Sequence, residues 1–363
     1  MKILVTGGHL TPALAVIDKL GKHDIVFVGR KYALEREQTL SLEYKEITRR
    51  KIRFIDLNTG RINRSVSLRD FLSILRIPLG LYQGYKIIRD EKPERLLSFG
   101  SYLAAPIAFW AWIFGIPIFT HEQTIKPGLA SRFIAYIARK VFISFKETSQ
   151  YFPENKTVLI GNPIRDSVLQ VKREIFTIDK SQPVIYITGG SLGSHSINMH
   201  IKNILPDLLK NFIVIHQTGD TKEYQDFEEL EKYRGNLPDG LKNNYFLRKH
   251  FFEEEIGFIY SVTDFVVGRA GANTFFELLA LEKPAVFIPL PWSGNKEQQK
   301  QAEIFKRYGV GEIFSQSEKS EELFKLILEI NKNLKKYKKN FTPLKFLYKK
   351  NAATTISKEL LKA

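Results

Sequence analysis

The same opening occurs twice in this chain. Ile3-Leu4-Val5 runs into Thr6-Gly7-Gly8-His9, and Val184-Ile185-Tyr186-Ile187 runs into Thr188-Gly189-Gly190-Ser191. Each is an apolar run without alternation, the pattern of a parallel strand buried on both faces. Each then turns on glycines before a helical stretch. That order of strand, glycine turn and helix opens a Rossmann-like fold, so two copies predict two such domains. The 363 residues suffice for two, on a prior of roughly 150 residues each.

The intervening runs fit that plan. In the first half, 25–28, 96–99, 116–120, 141–143 and 157–160 read as strands, and 12–20 as a helix with Pro12 in its first turn. Gly100-Ser101-Tyr102 closes the 96–99 run, and His121-Glu122-Gln123-Thr124 follows the 116–120 run. Gly161-Asn162-Pro163-Ile164-Arg165 marks a hinge. In the second half, 212–216, 244–247, 265–267 and 285–288 continue the pattern, and 320–363 is helical and basic. Residues 67–86 combine Phe71, Leu72, Leu75, Ile77, Leu79, Leu81 and Tyr82 with Arg69, Arg76 and Lys86. They read either as a core helix broken near Pro78 or as an interfacial apolar patch with a basic rim.

Residues 266–299 (VVGRAGANTFFELLALEKPAVFIPLPWSGNKEQQ) give strand, glycine turn, helix, strand and Pro-rich loop. The helix is expected from Asn273, as its cap, to Glu282. Glu277 lies among Phe275, Phe276, Leu278, Leu279, Ala280 and Leu281, where burying a carboxylate is costly without donors. Asn273 stands one turn before it, and the Gly271 turn leaves N–H groups beside the same face. A helix start that favours an anion, next to a carboxylate able to hold a diol, suits phosphate and ribose, hence a nucleotide. A solvent-facing Glu on an ordinary amphipathic helix is the plain alternative.

The net charge of +16 predicts an anionic partner: nucleic acid, an acidic membrane surface or a phosphorylated substrate. Part of the excess is the lysine-rich segment 333–350. There is no nucleic-acid recognition motif, and the aromatics do not interleave with the basic runs. The absence of cysteine excludes disulfides, zinc–thiolate sites and thiol nucleophiles. The first turn lacks G-x-G-x-x-G and no acidic residue ends the second strand, which argues against an NAD(P)-dependent oxidoreductase. Pro106, Gly115 and Pro117 interrupt the longest uncharged run, 103–119, so no spanning helix is expected. Glycines come too early at the N-terminus for a signal peptide.

Seven segments resemble the MurG family, the UDP-N-acetylglucosamine–N-acetylmuramyl-(pentapeptide) pyrophosphoryl-undecaprenol N-acetylglucosamine transferases of peptidoglycan synthesis. They are VTGGHLTPALAV, SFGSYLAAP, GIPIFTHEQTIKPGLASR, GNPIR, TGGSLGSHSIN, GRAGANTFFELLALEKPAVFIPLP and KEQQKQA. Glycine turns after strands occur in every α/β protein, so each alone is weak. All seven in family order are specific. The resemblance implies an α/β fold of the GT-B glycosyltransferase type: two Rossmann-like domains with parallel sheets facing across a cleft. Residues 1–162 would bind the acceptor and the membrane, and 163–342 UDP-GlcNAc; the C-terminal helix 343–363 would pack back on the first domain. The implied reaction is inverting, metal-independent transfer of GlcNAc from UDP-GlcNAc to the 4-hydroxyl of the muramyl sugar of lipid I, giving lipid II. A GT-B transferase placing a UDP-sugar on a different lipid-linked or small acceptor is the alternative. No cofactor is implied, and the chain has no Asp-x-Asp metal–diphosphate element. The implied partners are UDP-GlcNAc, a polyprenyl-pyrophosphate-linked muramyl peptide and the anionic leaflet at the cytoplasmic face of the cell membrane, where the protein would sit peripherally. Nucleic acid is not among them.

The resemblance also places roles. Ser191 would meet the diphosphate at a helix N-terminus, with Arg165 as a cation. Glu277 would accept the ribose hydroxyls. Ala272, Asn273 and Thr274 would sit by the sugar and phosphate, and Gln298 with Gln299 would bind GlcNAc hydroxyls. Phe251 or Phe252 would pack on uracil. His9 would be the base, or else a cap or a contact to the acceptor diphosphate. Glu122 would support catalysis, and Gly8, Ser101, Tyr102 and Thr124 would line the acceptor side. The plain reading of each is a cap, an ion pair or a core aromatic. This chain departs from the family twice. The first loop, Gly7-Gly8-His9-Leu10-Thr11-Pro12, is three residues shorter than G-G-T-G-G-H, two residues and Pro. Thr124 replaces the Asn of H-E-Q-N. Both departures fall on acceptor binding.

Overall fold

The computed structural model describes residues 1–34, 39–60, 76–190, 192–220 and 223–362. The chain divides into two compact units, Met1–Ile164 with Lys349–Ala363, and Arg165–Tyr348. In the first unit the strands are β1 (Lys2–Thr6), β2 (Asp24–Gly29), β3 (Tyr32–Leu34), β4 (Thr39–Leu40), β5 (Arg53–Asp56), β6 (Arg95–Ser98), β7 (Ile118–Glu122), β8 (Lys140–Ile143) and β9 (Thr157–Leu159). Seven form one sheet in the order β5-β2-β1-β6-β7-β8-β9, parallel throughout, and β3 and β4 form a separate hairpin. The second unit has β10 (Val184–Thr188), β11 (Ile213–Gln217), β12 (Tyr245–Arg248), β13 (Phe265–Gly268), β14 (Ala285–Phe287) and β15 (Gly311–Ile313). These run parallel in the order β12-β11-β10-β13-β14-β15.

In both sheets the order runs outward in two directions from the unit's first strand, which is the doubly wound arrangement. Corresponding residues hold corresponding places: Thr6 pairs with Val28 and Ser98, and Thr188 with Gln217 and Gly268. The repeated motif therefore sits at the carboxyl end of the central strand of each sheet, where such folds bind ligands.

The cores follow from the apolar runs. In the first unit Ile3, Val5, Phe27, Leu97 and Phe119 pack under the helix Leu10–Leu20. The last helix, Ala352–Leu361, joins this core through Ala352, Ala353, Ile356 and Leu360, and Ser357 Oγ bonds Lys19 O at 3.0 Å. The opposite core holds Leu4, Val26 and Leu96 beneath Ile87, Ile88, Ile107 and Ile134.

Two boundaries differ from the sequence reading, and a third is met only in part by the described residues. The returning segment begins at Lys349 rather than 343, because Phe341 and Leu344 are buried in the second unit and Phe341 packs on Phe305. Pro78 lies in the first turn of the helix Ile77–Glu91, where its missing N–H has no intrahelical partner to lose, and the stretch 67–75 that the sequence reads as helical before it lies outside the described residues. Asn273 is not a cap: Gly271, with φ −71° and ψ 151°, caps the helix Ala272–Leu281.

Each unit buries a histidine on a strand. His216 bonds Tyr245 Oη at 2.9 Å and Asn198 Oδ1 at 3.0 Å, and burial pushes its pKa down to about 3. His121 is likewise pushed to about 3 by burial, although a bond to Gly161 O opposes the shift. The folded pKa lies below the unfolded one, so this stability is present above the unfolded value and is lost as pH falls towards 3. From pH 6 to 4 each neutral histidine should cost roughly 2.5 kcal/mol of unfolding free energy. Denaturant unfolding across that range checks it. His216→Gln should flatten the dependence by one such step, and identical slopes would contradict a neutral buried His216.

Candidate functional site

In the second unit the site grows from the glycine turn after β10. Thr188 Oγ1 accepts the Gly190 N–H at 3.1 Å. Gly193 packs so tightly on the loop after β11 that a Cβ there would lie 1.9 Å from Thr218 O, which requires glycine. Ser191 lies outside the described residues. The helix His195–Asn211 follows, capped by Ser194, whose Oγ accepts the Ile197 N–H at 3.4 Å.

From that turn a line of hydrogen bonds and ring contacts leads to Glu277. Gln217, at the end of β11, donates to Gly190 O at 3.1 Å, and its Oε1 accepts the Phe251 N–H at 3.1 Å and the Tyr186 hydroxyl at 3.3 Å. Tyr186 meets Phe251 and Tyr260 edge-on, with ring centres 6.0 and 5.7 Å apart. Tyr260 Oη donates to Glu277 Oε2 at 2.9 Å, and Arg165 Nη2 reaches Oε1 at 3.3 Å. Burial holds the Tyr260 hydroxyl protonated, and hence a donor, with the Glu277 charge acting the same way. Glu277 is 6% exposed. The carboxylate singled out from the sequence is thus buried, and its donors are Arg165 and Tyr260. Arg165, expected on a ligand diphosphate, here pairs with Glu277.

No side chain caps the helix Ala272–Leu281. The first-turn N–H groups of Ala272, Asn273 and Thr274 have no intrahelical acceptor there, and Asn273 Oδ1 is buried without a partner. A concentration of donors at a helix start suits an anion. Arg269 stands in the same turn. It donates to Ser194 Oγ at 2.7 Å, Ile288 O at 2.9 Å and Gln316 Oε1 at 3.0 Å, all neutral, and burial lowers its pKa to about 10. It thereby ties the two helix starts together.

The remaining expected donor residues are less uniform. Gln298 turns back to accept the Leu290 N–H at 2.9 Å, and Gln299 bonds Glu303 at 3.0 Å along the helix Glu297–Arg307. Phe251 belongs to the packed aromatic group with Phe176 and Tyr186, whereas Phe252 is exposed. Nothing in the local pattern marks Tyr260 or Gln217, whose roles depend on partners 17 and 27 to 34 residues away. Arg269 was legible only as part of a turn.

In the first unit Gly8, His9, Ser101, Glu122 and Thr124 gather at the carboxyl ends of β1, β6 and β7. A Cβ built on Gly100 would lie 3.2 Å from Ser131 Oγ, 3.7 Å from Glu122 Oε2 and 3.9 Å from His9 Cδ2. One on Gly8 would lie 2.8 Å from the Ser101 Cβ. His9 occupies the cap position of the helix Leu10–Leu20 but makes no side-chain cap bond. Burial lowers its pKa, and the Glu122 carboxylate opposes that shift. Glu122 Oε1 accepts both the Thr124 N–H at 2.9 Å and the Thr124 hydroxyl at 2.8 Å. Threonine at this place therefore orients the carboxylate. Tyr102 lies under Arg30, whose guanidinium is 5.7 Å from the ring centre. A neutral imidazole beside a fixed carboxylate can accept a proton and have the resulting charge met.

Two family models match the chain. The glycosyltransferase family 28 N-terminal domain covers residues 5–143 and the glycosyltransferase family 28 C-terminal domain covers 184–360. The chain is 32% identical to the UDP-N-acetylglucosamine–N-acetylmuramyl-(pentapeptide) pyrophosphoryl-undecaprenol N-acetylglucosamine transferase 2 of Bacillus cereus, over 100% of this chain and 99% of that protein. It is 33% identical to the transferase of the same name, without the numeral, from Clostridium kluyveri, over 89% and 88%. Among solved structures, Acinetobacter baumannii MurG is similar in fold, with a TM-score of 0.69 at 22% identity over 100% of both chains. So is the UDP-GlcNAc 2-epimerase of Neisseria meningitidis bound to UDP-GlcNAc, with a TM-score of 0.66 at 15% identity over 100% of both.

Tyr260→Phe leaves one oxygen of a buried carboxylate without its donor. It should lower the unfolding free energy by about 2 kcal/mol, read as a shift of the denaturant midpoint at unchanged slope. A shift within error would mean that Tyr260 does not hold Glu277.

Proposed function

The chain belongs to the MurG family of glycosyltransferases, and from that membership we propose the reaction and the part each residue takes in it. The protein transfers GlcNAc from UDP-GlcNAc to lipid I in peptidoglycan synthesis. The observation that carries this is the full-length likeness to the Bacillus cereus transferase at 32% identity.

The transfer inverts the anomeric carbon. The 4-hydroxyl of the muramyl sugar attacks C1 of GlcNAc, the bond from C1 to the UDP oxygen breaks, and UDP leaves. His9 takes the hydroxyl proton, and the neighbouring Glu122 offsets the charge it acquires. In the donor unit Glu277 accepts the ribose hydroxyls, an acceptor role that its Tyr260 bond already orients. Arg165 then exchanges its partner, from the carboxylate to the diphosphate. The uncapped N–H groups of Ala272, Asn273 and Thr274, together with Ser191, meet the negative charge that develops on UDP. On this reading protein groups alone serve as the counter-charge, in keeping with a sequence that has no Asp-x-Asp element. Gln298 and Gln299 take the GlcNAc hydroxyls, and the exposed Phe252 lies against uracil.

The first unit also holds a surface suited to a lipid-linked acceptor. No helix among the described residues is long and apolar enough to cross a membrane. The helices Ile77–Glu91 and Ala104–Ile113 pack together, with Trp110 Nε1 donating to Leu81 O at 2.8 Å. They leave Leu79, Tyr82, Trp112, Ile113 and Phe114 exposed, beside exposed Arg76, Lys86 and Arg89. An apolar patch with a basic rim fits an anionic leaflet. Arg69, Phe71, Leu72 and Leu75 lie outside the described residues.

Calorimetry with UDP-GlcNAc, UDP-GalNAc, UDP-glucose and NADH tests the donor side. Selective binding of UDP-GlcNAc, weakened at least about tenfold in Glu277→Ala, is expected. No binding of any UDP-sugar would overturn the reading. His9→Ala should lower kcat roughly 100-fold or more while the donor affinity stays unchanged. Replacing Leu79, Tyr82 and Trp112 together with Ser should cut cosedimentation with vesicles rich in anionic lipid at least about tenfold. Undiminished binding would move the membrane contact elsewhere.

A further inference from the structure

The two Thr-Gly-Gly turns share a sequence and a place in their sheets, yet they are bonded differently. In the second, Thr188 Oγ1 takes the Gly190 N–H. In the first, the Gly8 N–H goes to Glu43 Oε1 at 3.1 Å, and Thr6 Oγ1 is buried with no partner. The turns differ in shape accordingly: φ is 146° at Gly8 and 88° at Gly190.

Glu43 is delivered by the first turn of the helix Leu42–Arg49. Ser41 caps that helix, accepting the Tyr44 N–H at 3.0 Å and donating to Arg30 O. Tyr44 sits edge-on to Phe54 with ring centres 5.2 Å apart, and Ile47 is buried. Glu43 Oε2 also accepts the Arg30 N–H at 3.4 Å. Two glycines make the niche. A Cβ on Gly7 would stand 2.5 Å from Glu43 Oε1, and one on Gly29 would stand 2.9 Å from Oε2. The niche lies at the carboxyl ends of β1 and β2, where a fold of this kind receives a ligand's anionic group. The shortened loop brings fewer N–H groups of its own, and a carboxylate of the chain occupies one of them.

We propose that Glu43 is a positioning residue for the transfer: its carboxylate is the resident anion of the first glycine turn. It fixes the peptide that carries His9 and withholds the Gly8 N–H from the acceptor's diphosphate. A diphosphate takes that N–H only by displacing Glu43. The proposal rests on the reading of the first unit as the acceptor unit.

The test titrates inorganic pyrophosphate into the full chain by calorimetry, with UDP saturating so that the donor unit is occupied. Wild type is compared with Glu43→Gln, Glu43→Ala and Gly7→Ala, the last expelling the carboxylate without altering it. Pyrophosphate should bind about tenfold tighter to Glu43→Ala and Gly7→Ala, once the like charge is gone from the turn. In transfer assays both should lower kcat about tenfold with the KM for UDP-GlcNAc within about twofold, and Glu43→Gln, which keeps one acceptor oxygen, should lie nearer wild type. Unchanged pyrophosphate affinity overturns the proposal. So does a loss of thermal stability that moves kcat and both KM values together. The pyrophosphate titration needs no transfer activity, so failure of the transferase reading would be seen separately.

Discussion

A carboxylate held out of water is costly unless donors meet it, and each unit of this chain arranges its site around such groups. Glu277 is met by Tyr260 and Arg165, and both come from segments remote in sequence that the sheet brings together. Glu122 is met by the N–H and hydroxyl of Thr124 two residues on. Glu43 is met by the N–H groups of Gly8 and Arg30. Remove the donors and these side chains would leave for solvent, or the elements bearing them would shift. The carboxyl ends of the strands are where such donors are available, because the turns there leave N–H groups that the sheet does not use.

Much of this was legible in the sequence, and the part that was not has a common cause. The buried strands announced themselves as apolar runs, and their glycine turns gave their direction. Four strands were not foreseen: β3 and β4 of the separate short hairpin, and the edge strands β5 and β15. β5 lies at a sheet edge, reads Arg-Phe-Ile-Asp, and alternates too little to stand out. β15 is Gly-Glu-Ile at the other sheet's edge, three residues long. Glu277 was identified because a charge among six apolar neighbours is anomalous locally. Tyr260, Gln217 and Glu43 are not anomalous locally: a tyrosine in an apolar helix and a glutamate in a helix's first turn are ordinary. Their roles are set by pairings across strands and across 17 to 35 residues, which no local pattern encodes. The cap was misplaced for a related reason. Asn273 has the right side chain, but Gly271 has the extended backbone that a cap position needs.

The departures from the family pattern also acquire physical meaning. Threonine in place of asparagine at 124 still supplies a donor, and that donor holds the carboxylate beside His9 rather than reaching outward. The shorter first loop carries fewer backbone N–H groups, and one of them, that of Gly8, is already met by Glu43.

The apolar surface of the first unit is best understood from its inner side. In the helix Ile77–Glu91, Gly80 and Gly84 are buried one turn apart. A Cβ on Gly80 would stand 2.0 Å from Thr59 Oγ1, and one on Gly84 3.0 Å from Pro106 O. Glycine in a helix interior costs about 1 kcal/mol against alanine, so two of them need a reason, and close approach to the unit is that reason. A helix seated so near has no room inward for a large side chain at these positions. Leu79 and Tyr82 lie beside the glycines in sequence and stand at 45% and 65% exposure. The exposed apolar residues are therefore not core residues displaced for want of a better place. The helix is drawn in on its small residues while large ones such as Leu79 and Tyr82 stay out, which leaves the apolar patch on its outer face.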